Sequence, residues 1–207
     1  VLNRAVVMAF DWLAPYAGII HMIGSGNHET SVGKWASTDI IHLLIERLQA
    51  AAPEGHTIHH GGYTGAIVQR FSEPKCGGGK TFGKSRTWNI YYHHGAGGAS
   101  PVTKGMIDFN RIASYTEGCD VLWIGHKHNK FVDRADTLRV PMQGEQLIRR
   151  KQWRIMSGAY TGDGTAQFDD AGNYRPDWAR EKAFAPQGQG GVTVEVRVNT
   201  NERDKHN

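Results

Sequence analysis

Cysteine is scarce in this chain of 207 residues. Cys76 and Cys119 are the only two, and they lie far apart in unlike contexts. A disulfide framework and a cysteine-based structural zinc site are therefore not expected. A reducing compartment is the simpler inference, so we expect a cytoplasmic protein.

Long apolar runs are also missing. No run approaches the roughly 18 residues that span a bilayer, so we expect no membrane partner.

Acidic residues are slightly outnumbered, with 24 lysines and arginines against 20 aspartates and glutamates, a net charge of +4. This balance mildly favours phosphate-bearing partners, nucleic acid included.

Polar clusters rich in histidine and glycine follow three apolar segments, each where a strand should end. The pairs are Ile19 to Gly24 with Gly26-Asn27-His28-Glu29, Trp88 to Tyr92 with His93-His94-Gly95, and Asp120 to Ile124 with Gly125-His126-Lys127-His128. A rigid strand followed by a tight glycine turn positions ligands well, and open α/β sheets bind ligands at that edge. The pattern predicts a dinuclear metal site.

The last cluster needs a bend to serve one site. His126 and His128 are two residues apart. In an extended backbone their side chains would point to opposite sides. A turn led by Gly125 can swing both imidazoles toward one pair of ions.

In this order, the three clusters resemble the motifs of the calcineurin-like metallophosphoesterase superfamily. The resemblance runs from about Val1 to about Val198. It implies that His28 stabilises or protonates the leaving group. It also implies the metal ligands Asn27, His93, His126 and His128, with His94 as the substitute for His93.

The resemblance further implies the fold and the cofactors. We expect an α/β fold of the metallophosphoesterase type, an α/β/β/α sandwich of two mixed sheets flanked by helices, lacking its N-terminal strands. Residues 1–198 would form this domain and residues 199–207 a polar tail. Two divalent ions are implied for the complete enzyme, from Mn, Fe, Zn, Co or Ni, with Mn favoured.

Two family motifs, Asp-x-His and Gly-Asp-x-x-Asp, are absent. Asp11 is the only acid before the first cluster, and it lies in a stretch that is typical of a helix. We therefore expect a C-terminal portion of a larger enzyme, or one half of a split one. An N-terminal segment or a second chain would supply the aspartate ligands.

The function implied is metal-dependent hydrolysis of a phosphoester. The substrate would be a phosphodiester, DNA or RNA included, or a phosphomonoester. The basic insertion at Gly78 to Ser85 and the other basic loops tilt this toward a nuclease-like or phage-type enzyme, which would act in a phage-infected host cell. The alternative is a catalytically impaired subunit that binds metal or nucleic acid.

Two other patterns resemble ligand sites but lack the context that such sites need. Residues Gly78 to Ser85 match the phosphate-loop pattern, but no buried strand precedes them and a strand rather than a helix follows. Asp163, Asp169 and Asp170 lack the ligand spacing of a calcium loop, and turn chemistry explains them.

Hydrophobic periodicity predicts the remaining elements. The expected helices are 3–16, 37–52, 103–115 and a short one over 174–180, with another opening at Glu29. The expected strands are 19–24, a hairpin over 56–71, 88–92 and 120–124, then 130–140, 146–156 and 192–198 in a second sheet.

Overall fold

A computed structural model describes residues 2–72, 85–98, 100, 102–140, 146–160, 171–173 and 188–197. Within these residues the chain is a mixed α/β protein with two compact units, Val1–Gly65 with Tyr92–Ala96, and Ala66–Tyr91 with Gly97–Asn207. The elements are α1 (Leu2–Leu13), a 3₁₀ turn (Ala14–Tyr16), β1 (Met22–Gly24), α2 (Asn27–Ala36), α3 (Ile40–Ala51), β2 (His59–Gly62), β3 (Thr64–Ser72), β4 (Ser85–His93), α4 (Met106–Ala113), β5 (Val121–Ile124), β6 (Phe131–Arg139) and β7 (Ile148–Met156).

The core of the first unit lies around α3. Ile41, Leu44, Ile45 and Leu48 recur at helical spacing and are buried. They pack with Val6 of α1, and Ile23 of β1 packs against the same cluster. β1 and β2 pair in parallel, so this helical face holds the strand that leads into α2.

The start of α3 is fixed by Asp39. Its Oδ1 accepts hydrogen bonds from the amides of Ile41 at 3.0 Å and His42 at 2.9 Å. His60 Nε2 lies 3.2 Å from Oδ2 of the same carboxylate. The hydrogen bond from the amide of His42 lowers the pKa of Asp39 most, and His60 and the amide of Ile41 lower it further. Burial raises the pKa, but the lowering effects together are larger.

Replacing Asp39 by alanine should lower the free energy of unfolding by about 0.5–2 kcal/mol at pH 7, since the helix loses its N-cap. The folded-state pKa lies below the ordinary value of 3.8. The carboxylate therefore stabilises the fold above that value, and this contribution is lost as the pH falls through the folded-state pKa.

Urea unfolding of the wild type, Asp39→Ala and Asp39→Asn from pH 7 to pH 2.5 checks this. Asparagine caps helices about as well as aspartate, so Asp39→Asn should match the wild type near neutrality. Its stability relative to the wild type should rise in acid. Equal acid sensitivity in all three proteins would contradict the prediction.

The second unit is built on a five-stranded sheet in the order β3-β4-β5-β7-β6. β5 and β7 run parallel, with Val121 opposite Trp153, while β6 and β7 run antiparallel over nine residue pairs. Phe109 and Ile112 of α4 pack on one face against Leu122, Ile124 and Met156. The opposite face carries a second apolar cluster around Ile90, Val121 and Ile155.

The predicted hairpin over residues 56–71 is wrong. β2 pairs with β1, whereas β3 lies beside β4. The sequence Gly61-Gly62 resembles a hairpin turn, but the backbone of β2 pairs with β1 instead of with β3. Tyr63 alone joins the two strands, and Gly62 has φ 63°.

The predicted second sheet over residues 130–198 is also wrong in its membership. β6 and β7 belong to the same sheet as β4 and β5. Residues 192–197 are not in a strand, although their valines alternate. β1 is shorter than predicted because the amides of Ile19 and Ile20 bond to the carbonyl of Tyr16.

The helices 3–16, 37–52 and 103–115 are confirmed as α1 with its 3₁₀ turn, α3 and α4, and a helix does open around Glu29. The phosphate-loop pattern before Ser85, the expected helix over 174–180, the carboxylates of 163–170 and the tail 199–207 lie outside the described residues. Within the part of the chain that is described, no helix is both long and apolar enough to cross a membrane.

Candidate metal centre

The first predicted site segment forms the N-terminus of α2. Gly26 precedes the helix in an extended conformation, with φ −110° and ψ −174°. Its amide donates to Glu29 Oε2 at 2.8 Å, which is half of a capping box because glycine has no side chain to return the bond. Asn27 and His28 are therefore the first two helical residues, Asn27 half-buried and His28 exposed.

The structure brings Asn27 and His94 together. Nε2 of His94 lies 2.9 Å from Oδ1 of Asn27, across 67 residues of sequence. Gly26 permits this approach, because a Cβ built there would lie 2.6 Å from Cε1 of His94. Any larger residue at position 26 would push the imidazole away.

His93 is oriented differently. Its Nδ1 accepts a hydrogen bond from the amide of Gly95 at 2.7 Å. In the neutral ring this places the proton on Nε2. His94, the substitute, is the histidine that meets Asn27, and this contact favours it over His93.

Tyr63 fixes both histidines. Its ring meets His93 edge-on at 5.5 Å between centroids and His94 at 5.0 Å. Its hydroxyl donates to the carbonyl of Gly95 at 2.7 Å, and its carbonyl accepts from the amide of His94 at 2.9 Å. Burial raises the pKa of Tyr63, so the hydroxyl stays a donor at neutral pH.

The second unit carries His126 in a strained turn. The amide of Lys127 donates to the carbonyl of Gly125 at 2.8 Å. This i to i+2 bond closes a γ-turn around His126, whose φ of 68° is rare for a residue with a side chain. His128 has φ 60°, so the left-handed conformations of this turn fall on the two histidines rather than on Gly125.

The protonation of His126 follows from its hydrogen bond. Nε2 lies 3.1 Å from the carbonyl oxygen of Gly97. A carbonyl only accepts, so Nε2 is the donor, and in the neutral ring the lone pair is on Nδ1. This arrangement, one nitrogen donating to a backbone carbonyl, is the usual one for a metal-binding histidine.

Sequence reasoning missed Lys127 as a structural residue. Its ammonium group is buried, 3.2 Å from Asp108 Oδ2, and it donates to the carbonyl of Gly98 at 2.7 Å. His126 and Lys127 thus bind two consecutive glycine carbonyls. The sequence signal was the glycine run that ends in Gly97-Gly98, which exposes carbonyls without covering side chains.

Asn27, His28, His93 and His94 belong to the first unit, and His126 and His128 to the second. Among the described residues, no three or more His, Cys, Asp or Glu side chains form a group that could hold a metal ion. Asn27 and His94 are the predicted ligands that meet within one unit.

Sequence reasoning also missed Tyr63, because its position directly after Gly61-Gly62 gives no periodic signal.

Comparison of the chain with family models, with curated proteins and with solved structures gives no match.

Proposed function

We propose that this chain is the part of a metal-dependent phosphoester hydrolase that carries the later metal ligands. The contact between Asn27 and His94 is the observation that carries this proposal, since two distant motifs meet there through an amide oxygen and an imidazole nitrogen. The ligand set proposed is Asn27, His94 in place of His93, His126 and His128. The finer fold proposed is the metallophosphoesterase sandwich.

The donor pair fits a divalent ion. Two ligands that bind one ion at about 2.1 Å and at a right angle lie about 3.0 Å apart. The two atoms are 2.9 Å apart. To bind the same ion as Asn27, His94 must carry its proton on Nδ1 and keep the lone pair on Nε2. The ion would therefore replace the present hydrogen bond between the two side chains.

The residues of the chain have distinct roles in this proposal. Divalent ions at the site would polarise the phosphoryl group and lower the pKa of a water molecule. The side-chain amide of Asn27 would contact the phosphoryl group and hold it in place. His28 is exposed on the first turn of α2, where it can reach a substrate and protonate the departing oxygen.

The test is Mn²⁺ binding, measured by elemental analysis and electron paramagnetic resonance. The wild type should bind Mn²⁺, and Gly26→Ala should weaken binding by about 10–100-fold, because the displaced His94 loses its position beside Asn27. His126→Ala should remove an ion. Hydrolysis of bis(p-nitrophenyl) phosphate is the second readout.

Gly33→Ala is the matched control. Gly33 lies in the same helix, and the nearest heavy atom to a Cβ there is 3.9 Å away, so this variant should bind Mn²⁺ like the wild type. No binding by the wild type would refute the proposal. Binding without turnover would favour a metal-binding subunit that needs aspartates from another segment or chain.

A further inference from the structure

The net positive charge of this chain equals that of its β6–β7 ribbon, defined by residues 131–139 and 148–156. The ribbon carries a net charge of +4, the same as the whole chain of 207 residues. The rest of the chain is therefore neutral in sum. The charged residues are Arg134, Arg139, Arg149, Arg150, Lys151 and Arg154, against Asp133 and Asp136.

The strand register sorts these side chains onto two faces. Arg134 lies opposite Trp153, Asp136 opposite Lys151, and Leu138 opposite Arg149. Residues directly opposite in an antiparallel pair share a face, and so do alternate residues of one strand. Arg134, Trp153, Lys151 and Arg149 therefore lie on one face, which we call the Trp153 face, and Asp136 is the carboxylate on it.

Trp153 is the exposed aromatic group of this face. Its relative exposure is 43%, although the opposite side of the same strand is buried at Gln152. The guanidinium of Arg134 lies 5.9 Å from the centre of its ring. A flat ring beside a flat cation offers stacking surfaces for a nucleobase.

An apolar recess adjoins Trp153. It has a volume of about 390 Å³ and is lined by Trp88, Val132, Trp153 and Ile155, with Val192 to Arg197 opposite. Recesses of this size accept aromatic groups. A base unstacked from its neighbours can therefore find apolar contact next to the cations.

Carboxylates do not cancel the charge of the Trp153 face. Arg149 is 3.6 Å from Asp136, and both side chains are exposed, so this pair is weak. Glu195, at the edge of the recess, is bound by Arg197 at 2.8 and 3.0 Å. Lys151 forms no ion pair with any described residue of the sheet.

We propose that the Trp153 face binds single-stranded nucleic acid. Regularly spaced cations would contact the phosphates, and Trp153 with Arg134 would stack a base. A duplex keeps its bases stacked and would leave the ring unused. This inference goes beyond phosphoester hydrolysis, because it assigns a binding surface whose action needs no metal ion.

The test is fluorescence anisotropy of a labelled oligothymidylate in EDTA, which separates binding from hydrolysis. Trp153→Leu should weaken binding about 5–150-fold, the loss produced by one stacked base, and Trp153→Phe should restore most of it. Arg149→Gln with Lys151→Gln should reduce the slope of log affinity against log salt by about 1.4, or about 0.7 per cation.

Arg4→Gln with Lys34→Gln is the matched control, since both residues are exposed on α1 and α2 and the charge change is equal. An equal loss in this control would overturn the proposal, as would undiminished binding by Trp153→Leu. Duplex bound more tightly than single strand would also overturn it. So would binding to phosphatidylserine vesicles without binding to the oligonucleotide.

Discussion

Replacing Lys127 by methionine should lower the free energy of unfolding by about 3–5 kcal/mol, because the change leaves a partly buried carboxylate without its cation. The Lys127 side chain is only 6% exposed and that of Asp108 15%. The carbonyl of Gly98 also loses its donor. Arg111 is 3.8 Å from Asp108 but is largely exposed, so it compensates weakly.

Chemical denaturation of the wild type, Lys127→Met and Lys34→Met measures this effect. Lys34 is exposed, so its variant should differ from the wild type by no more than about 0.5 kcal/mol. Adding Asp108→Leu to Lys127→Met should recover part of the loss, since the unpaired carboxylate is then gone. A cost below about 1 kcal/mol for Lys127→Met would show that the buried pair contributes little.

Lys127 also links stability to the proposed site. It lies between His126 and His128, and its carbonyl partner Gly98 follows the partner of His126, Gly97. If Lys127→Met releases this loop, His126 loses the bond that holds the proton on Nε2. Nitrogen chemical shifts of labelled histidine would then show a mixture of the two ring tautomers instead of one.

The sequence allowed the local parts of this fold to be predicted. The helical spacing of Ile41, Leu44 and Leu48 requires one buried face, and Asp39 supplies a side chain that caps the helix. All four residues of Val121 to Ile124 are apolar, which is typical of a strand buried on both faces. Such signals depend on neighbours within a few residues.

Strand partners could not be predicted in the same way. The alternation of apolar and polar residues shows which side chains face a core. It does not identify the neighbouring strand that supplies the backbone hydrogen bonds. The alternating valines of 192–197 cover a sheet face without joining the sheet. Lysine is almost never fully buried, so the position of Lys127 required the distant Asp108 to be known.

The meeting of Asn27 with His94 is another long-range fact. Each lies in a cluster that the sequence marks as unusual, but the choice between His93 and His94 depends on ring orientation. That orientation is set by Tyr63, whose ring contacts both imidazoles, and by the space at Gly26. Neither cause is visible in a strand followed by two histidines.

Phe109→Ala should also lower the free energy of unfolding by about 3–5 kcal/mol, through lost apolar contact and the cavity left behind. Phe109 has no exposed surface. Its ring meets that of Phe131 edge-on, with centroids 5.5 Å apart, a contact that adds about 0.5–1.5 kcal/mol to the burial. The substitution removes part of the apolar packing that holds α4 against β5, β6 and β7.

Ile107→Ala and Phe109→Leu complete this experiment. Ile107 is 53% exposed on the same helix, so its variant should cost much less than Phe109→Ala in chemical denaturation. Phe109→Leu keeps most of the volume and should cost less than the alanine change. If Ile107→Ala proved as costly as Phe109→Ala, α4 would pack through its other side, and the partners of Asp108 would change with it.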